Sequence, residues 1–148
     1  MSVLIECVPN FSEGRDPAII NALAQRIAAV AGATVLHVDR GHDTNRTVVT
    51  IAGAPGAVCE AAFQGIRAAQ ELIDMRGHAG AHPRMGATDV CPLVPISGIS
   101  LEECAALARQ LAERVGRELG IPVYLHEAAQ PDPARRNLAV LRAGEHEG

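Results

Sequence analysis

The stretch ATVLHVDRGHDTNRTVVTIAG (residues 33–53) holds two β-rich segments on either side of a short polar loop. Residues 33–40 and 46–53 are rich in Val, Leu, Ile and Thr, which favour strands, and the loop GHDTN contains the Gly and Asn that favour turns. The pattern therefore predicts a β-hairpin. Period-two spacing in its first strand predicts a core face of Thr34, Leu36 and Val38 and an opposite face of Val35, His37 and Asp39.

Apolar segments on both sides of this hairpin predict the remaining elements. Asp16-Pro17 is typical of a helix start, and SLEE (100–103) has the spacing of a capping box. Pro92 and Pro95 indicate that the strand containing them is interrupted or lies at a sheet edge. The predicted elements are a strand over 2–10, a helix from Asp16-Pro17 to Gly32, a helix over 55–75, a strand over 88–97, a helix over 100–119 and a strand over 121–127.

The predicted order is β-α-β-β-α-β followed by α-β. The first six elements match the ferredoxin-like arrangement, an α+β sandwich with helices on one face of a mainly antiparallel sheet. The final pair is expected to extend that sheet by one strand. Residues 1–148 are predicted to form a single domain. One sheet face is left uncovered, so a second domain or a partner is expected to cover it.

The amino-acid composition favours a folded domain and argues against a nucleic-acid-binding or membrane-spanning protein. Hydrophobic residues make up 48% of the chain, which predicts a folded domain, but aromatic residues make up only 2%. The net charge is −4 and lysine is absent, so a broad nucleic-acid surface is not expected. No apolar run is long enough to span a membrane, and a cytoplasmic protein is the expectation. The four cysteines lie far apart in apolar segments, so buried free thiols are predicted.

The stretch RGHAGAHPRMGATDV (76–90) is the first candidate for chemistry. His78 and His82 have the spacing of a helical metal site, but two glycines and Pro83 favour a loop, and no metal is expected. In a loop, the glycines let backbone N–H groups approach a ligand, Arg84 can hold a carboxylate, and a histidine can move protons near neutral pH. An ordinary solvated connection remains the alternative for this stretch taken alone.

Two further polar loops favour a functional site. DRGHDTNRT (39–47) and VPNFSEG (8–14) both lie at predicted strand ends and are rich in Asn, Asp, His or Arg. Three loops this rich in Asn, Asp, His and Arg carry more polar side chains than a surface needs merely to be solvated. We therefore expect them to converge on one anionic substrate.

The three segments ECVPNFSEGR, VDRGHDTNRTVVT and LIDMRGHAGAHPRMGATDVCPLVPI together resemble the N-terminal subdomain of the formiminotransferase family. The tail RRNLAVLRAGEHEG fits the end of that subdomain. The resemblance covers essentially the whole chain, and HPRMGATDVCP and VPNFSEG are long, uncommon strings.

The resemblance implies transfer of a formimino group from N-formimino-L-glutamate to N5 of tetrahydrofolate, as in histidine breakdown. His82, in the HPRMGA motif, is implied as the general acid/base, and Asp39 could orient the imidazole or neutralise the developing cation. Tetrahydrofolate is a co-substrate. The residues expected to contact substrate or folate are Asn10, Asn45, Arg46, His78, Arg84 and Gly86.

The resemblance also implies a second subdomain, with folate in a groove between the two. The chain ends at Gly148, where that half would start, so the expected partner is a C-terminal subdomain or a second copy in a homodimer. A non-catalytic folate-binding or interaction module is the alternative function. A metal hydrolase ranks third.

Overall fold

The computed structural model of the chain describes residues 2–73, 87–125 and 141–143. Its elements, in chain order, are β1 (Leu4–Cys7), β2 (Asn10–Phe11), α1 (Pro17–Ala28), β3 (Ala33–Gly41), β4 (Arg46–Gly53), α2 (Pro55–Leu72), β5 (Thr88–Val90), β6 (Leu93–Ser97), α3 (Leu101–Leu119), β7 (Val123–Leu125) and β8 (Leu141–Ala143). The elements form the predicted α+β sandwich.

The hairpin is confirmed, with β3 and β4 paired antiparallel from Ala33↔Gly53 to Gly41↔Arg46. β4 also pairs antiparallel with both β1 and β2, and these in turn pair antiparallel with β6 and β5. The sheet order is thus β3, β4, β1/β2, β6/β5. This is the order of the ferredoxin-like arrangement when β1/β2 and β5/β6 are each counted as one strand.

Prolines explain why two strands are interrupted. Pro9 separates β1 from β2, and Pro92 separates β5 from β6, because proline has no N–H to donate to the ladder. Their carbonyls still accept hydrogen bonds: Val49 N–H donates to Pro9 O and Val8 N–H donates to Pro92 O, both at 3.1 Å. The hydrogen bond between Val8 and Pro92 shows that the two breaks lie side by side.

Helix ends follow the local chemistry that the sequence predicts. The Asp16 carboxylate accepts from Ala18 N–H, with Pro17 in the first helical position of α1. Ser100 and Glu103 form the predicted capping box of α3, and Gly120 ends that helix in the left-handed conformation. α1 ends at Ala28 and α2 at Leu72, so both are three to four residues shorter than predicted.

All three helices pack on one face of the sheet. The core joins strand residues such as Ile5, Phe11 and Ile51 to helix residues such as Leu23 and Ile66, all at most 1% exposed. No element in the described part of the chain covers the opposite face, which we call the open face. It is lined by the alternate residues of the same strands, among them Glu6, Asn10, Asp39, Val48, Thr50, Ala52 and Val94.

The predicted faces of the first hairpin strand are only partly correct. A register shift between Val35 and His37 inserts an extra residue, so Val35 and Val38 both pack against the core, whereas Leu36 is 58% exposed. A bulge changes the phase of the alternation, which a fixed period of two cannot follow. Val38 lies on the predicted side, but the core assignments of Thr34 and Leu36 were wrong.

The prediction for the fifth strand was also wrong in part. β7 forms where a strand was expected, but it does not extend the six-stranded sheet. It pairs instead with β8 in a separate two-stranded sheet, in register from Val123↔Ala143 to Leu125↔Leu141. β8 lies near β5 and α3, at the margin of the domain.

Candidate functional site

The candidate site lies at one end of the open face, where β2, β4 and β5 meet. Val48 on β4 is paired with Asp39 on β3 and with Asn10 on β2. Asp39 and Asn10 are therefore two strands apart, about 10 Å at the usual strand spacing. Arg46 lies on the same face, two residues before Val48. Three residues that the sequence singled out thus share one surface.

The segment after β2 is fastened to the turn of the hairpin. Gly14 N–H donates to Asn45 Oδ1 at 2.8 Å, and Arg15 Nε donates to His42 O at 2.9 Å. Thr47 Oγ1 donates to the carbonyl of Glu13. These bonds bring two of the three predicted loops, 8–14 and 39–47, into direct contact.

Residues 87–90, the described part of the third segment, lie beside the other two loops. Ala87 O accepts from Ser12 N–H at 2.8 Å, and Arg46 Nη2 lies 3.3 Å from Asp89 Oδ2. The expected convergence therefore holds for the described parts of all three segments. His78, His82, Arg84 and Gly86 lie outside the described residues, and their roles remain predictions.

Asn45 differs from the other candidates in its surroundings. It has a positive φ of 53°, is only 6% exposed, and its side-chain oxygen accepts from Gly14. Asparagine tolerates this left-handed conformation better than most residues do. These contacts give Asn45 a role in holding two loops together.

Asp89 is a site residue that the sequence reasoning missed. Its side chain is 15% exposed and contacts Arg46 across β2. The register between β2 and β5 shifts at this point, with Asn10 opposite Val90 and Phe11 opposite Thr88, so Asp89 is the extra residue of a bulge. The available signal was a single charged residue in the largely apolar stretch TDVCPLVPIS.

The cysteines lie on the core side of the sheet, away from this cluster. Cys7, Cys91 and Cys104 are buried free thiols, as predicted, and Cys59 is half-buried. The Sγ atoms of Cys7 and Cys91 are 3.3 Å apart. Burial, more than the neighbouring thiols, raises the pKa of Cys7 well above its ordinary value and that of Cys59 to about 12. Both thiols are therefore protonated at neutral pH and poor nucleophiles.

The described residues show neither a metal cluster nor a membrane-spanning helix. Within residues 2–73, 87–125 and 141–143, no three or more His, Cys, Asp or Glu side chains are grouped so as to hold a metal ion. None of the helices in these ranges has the length and apolar character needed to cross a membrane.

Fold and site together define an α+β domain with acidic, basic and amide side chains gathered at one end of an open sheet face. Such a group of polar side chains is suited to bind a small, charged molecule. The chain belongs to the formiminotransferase family, whose model of the domain's N-terminal subdomain matches residues 4–148.

Relatives from distant organisms resemble the chain over nearly its whole length. It is 50% identical, over 99% of its residues, to the formimidoyltransferase-cyclodeaminase of Rattus norvegicus, and covers 27% of that protein. It is 47% identical, over 100% of its residues, to the glutamate formimidoyltransferase of Streptococcus pyogenes serotype M1, and covers 50% of that protein. The chain therefore spans half or less of the length of these relatives.

Proposed function

We propose that this domain forms part of a glutamate formimidoyltransferase, which moves a formimino group from N-formimino-L-glutamate to N5 of tetrahydrofolate. The observation that supports this most directly is the convergence of three loops, which are joined by two hydrogen bonds, at Gly14 and at Ser12, and by one ion pair at Arg46. The names of the relatives support formimidoyl transfer in general, and the resemblance to the family implies tetrahydrofolate as the acceptor. Histidine breakdown is the proposed metabolic context, and the cytoplasm the proposed location.

The reaction needs one proton to be moved. N5 of tetrahydrofolate attacks the formimino carbon and forms a tetrahedral intermediate, and His82 accepts the N5 proton. His82 then returns that proton to the glutamate nitrogen as the bond between this nitrogen and the formimino carbon breaks. Asp39 stabilises the imidazolium that exists between the two steps. No metal is required for either step.

The remaining predicted residues bind the substrates. Arg46 and Arg84 receive carboxylates of the glutamyl donor or the folate tail, because a guanidinium can bind a carboxylate through two parallel hydrogen bonds. Asn10, His78 and Gly86 complete the contacts. Asn45 acts indirectly, by holding the 8–14 loop against the hairpin.

A second subdomain is part of the proposal. The open face is a whole sheet surface, and the relatives extend well beyond the matched region. We propose that the complete enzyme covers this face with a C-terminal subdomain, so that folate binds between the two layers, and that two such chains form a homodimer.

The acid/base role is tested by His82→Ala in the complete enzyme. Turnover should fall by about 10²–10⁴-fold, with little change in the KM of either substrate, because binding contacts are retained while proton transfer is lost. His42→Ala is the matched control, since that histidine lies in the hairpin turn with its side chain 78% exposed. Its kcat should stay within about twofold of the wild type.

Two results would contradict the proposal. Full turnover by His82→Ala would remove the acid/base assignment. If the wild-type enzyme binds tetrahydrofolate but transfers no formimino group, the alternative of a non-catalytic folate-binding module is correct.

A further inference from the structure

Arg46 and Asp89 form a contact that crosses an intervening strand. Arg46 is the first residue of β4, Asp89 lies within β5, and β2 runs between them. The Nη2–Oδ2 distance is 3.3 Å, and the side chains are 28% and 15% exposed. Exposure this low gives the ion pair more weight than a pair on the open surface has.

The guanidinium is only partly satisfied by this contact. Arg46 Nε is buried and has no hydrogen-bond partner. Nε and Nη2 are the two donors along one edge of the guanidinium, and of these two it is Nη2 that donates to Asp89. A buried donor without a partner destabilises the fold, so such an atom in a polar cluster indicates a place for an acceptor from outside the domain.

The bulge explains why Asp89 reaches this position. In a regular ladder, each residue of β5 would oppose one residue of β2. Here the register moves from Asn10↔Val90 to Phe11↔Thr88, which leaves Asp89 as the extra residue. Bulges redirect side chains in this way and are frequent beside functional sites.

We infer that Asp89 is a positioning residue, which holds Arg46 so that its remaining donors bind a carboxylate of the substrate. This inference rests on the proposed function and adds to it a residue that does not itself touch the ligand. The carboxylate of Asp89 would repel that of a substrate, so it acts through Arg46. The ligand chemistry is a carboxylate, carried by both the formimino-glutamate donor and the glutamyl tail of folate.

Steady-state kinetics on the complete enzyme test the inference. Asp89→Ala removes the acceptor for Nη2 and should raise one KM about tenfold while kcat stays within about threefold. Asp89→Asn keeps an oxygen acceptor in the same place, so its KM should stay within about twofold of the wild type. The substrate whose KM rises identifies the source of the carboxylate.

A double-mutant cycle separates positioning from a general structural effect. Arg46→Met should raise the same KM at least as far as Asp89→Ala does. Adding Asp89→Ala to Arg46→Met should then raise the KM no further, because the inferred effect of Asp89 on the substrate passes through Arg46. Asp89→Ser, whose side chain is too short to reach Arg46, replaces the alanine variant if that variant does not fold.

Three outcomes would overturn the inference. The first is an Asp89→Asn variant as impaired as Asp89→Ala, since an oxygen acceptor restored for Nη2 would then have no effect on the KM. The second is an equal further loss in the Arg46→Met background, and the third is an unchanged KM in all Asp89 variants. A wild-type enzyme that transfers no formimino group would instead show that the proposed function is wrong, and this result is distinct from the three above. Calorimetric titration of the same variants with free glutamate would then test the Arg46 carboxylate site directly.

Discussion

Gly14 is the single residue on which the contact between the first two loops depends most directly. A Cβ added at this position would lie 2.3 Å from Gly41 O and 2.5 Å from Arg46 N. Both are backbone atoms, and neither can move without displacing the hairpin. The alanine variant must therefore separate the 8–14 loop from the turn to which it is bonded.

We expect Gly14→Ala to lower the free energy of unfolding by about 3 kcal/mol, at the upper end of the cost of overpacking. Urea denaturation of the chain measures this. Gly56→Ala is the matched control, because a Cβ there has nothing within 4 Å. That glycine lies in the first turn of α2, where alanine should be neutral or stabilising by up to about 1 kcal/mol. Equal stability of the two variants would contradict the close approach at Gly14.

Cys59 links the stability of the fold to alkaline pH. Its pKa is raised from 9.0 to about 12, first by burial and then by the neighbouring Cys91 and Cys104. Between these two values the unfolded thiol loses its proton while the folded thiol keeps it. Ionisation therefore favours the unfolded state, and stability falls as pH rises from 9 towards 12.

Urea denaturation in the presence of a reductant, at pH 7 and pH 10, isolates this effect. Between the two pH values the wild type should lose about 1 kcal/mol more than Cys59→Ala, because one pKa unit corresponds to about 1.4 kcal/mol. The packing cost of the alanine is present at both pH values and cancels. Equal losses in the two proteins would show that Cys59 titrates normally in the folded state.

At the scale of elements, the sequence predicted correctly those helix ends, turns and strand breaks that depend on local interactions. The boundaries of α3 follow from Ser100, Glu103 and Gly120, whose effects act within one helical turn. The hairpin follows from β-branched segments around a polar loop, and the interruption of β5/β6 follows from Pro92. Each of these signals depends only on neighbouring residues.

The errors at this scale came from interactions between strands. Because of the bulge at Leu36, the core and open faces of the first half of β3 are the reverse of those predicted. No feature of residues 33–40 indicates this bulge. The pairing of β7 with β8 depends on a segment 16 residues further along the chain, where β8 begins. The bulge at Asp89 is of the same kind, which explains why this residue was not singled out. Register depends on both partners, and one strand alone does not specify it.

At the scale of the whole molecule, the polar composition of three loops predicted that they would meet, whereas the order of elements alone did not require it. In the ferredoxin-like order the strand containing Asn10 lies between β4 and β5, so segments far apart in sequence reach one edge. The hydrogen bonds that fasten Gly14 to Asn45, and Ser12 to Ala87, could not be predicted, because they depend on backbone positions in loops. Composition and motif predicted the convergence of the three loops, and the structure shows which described residues hold them together.

The open face gives the last prediction, at the scale of the assembled enzyme. Ala52 lies on this face, paired with Glu6 on β1 and several residues along β4 from Arg46. In the chain alone, an arginine at position 52 can extend over the face and pair with Glu6. In the complete protein, the same side chain would be forced between the sheet and the proposed second subdomain.

Ala52→Arg should therefore leave the thermal midpoint of the isolated chain within about 2 °C of the wild type, yet lower that of the complete protein by about 5 °C or more. Calorimetry of both forms measures this. Ala29→Arg, at the exposed C-terminal cap of α1, is the control and should change neither midpoint, because a cation there suits the helix dipole. If Ala52→Arg is equally harmless in both forms, the second subdomain does not pack on this face. If it is equally harmful in both, the open face is already needed for the fold of this domain. Only a loss confined to the complete protein supports a site enclosed between two layers.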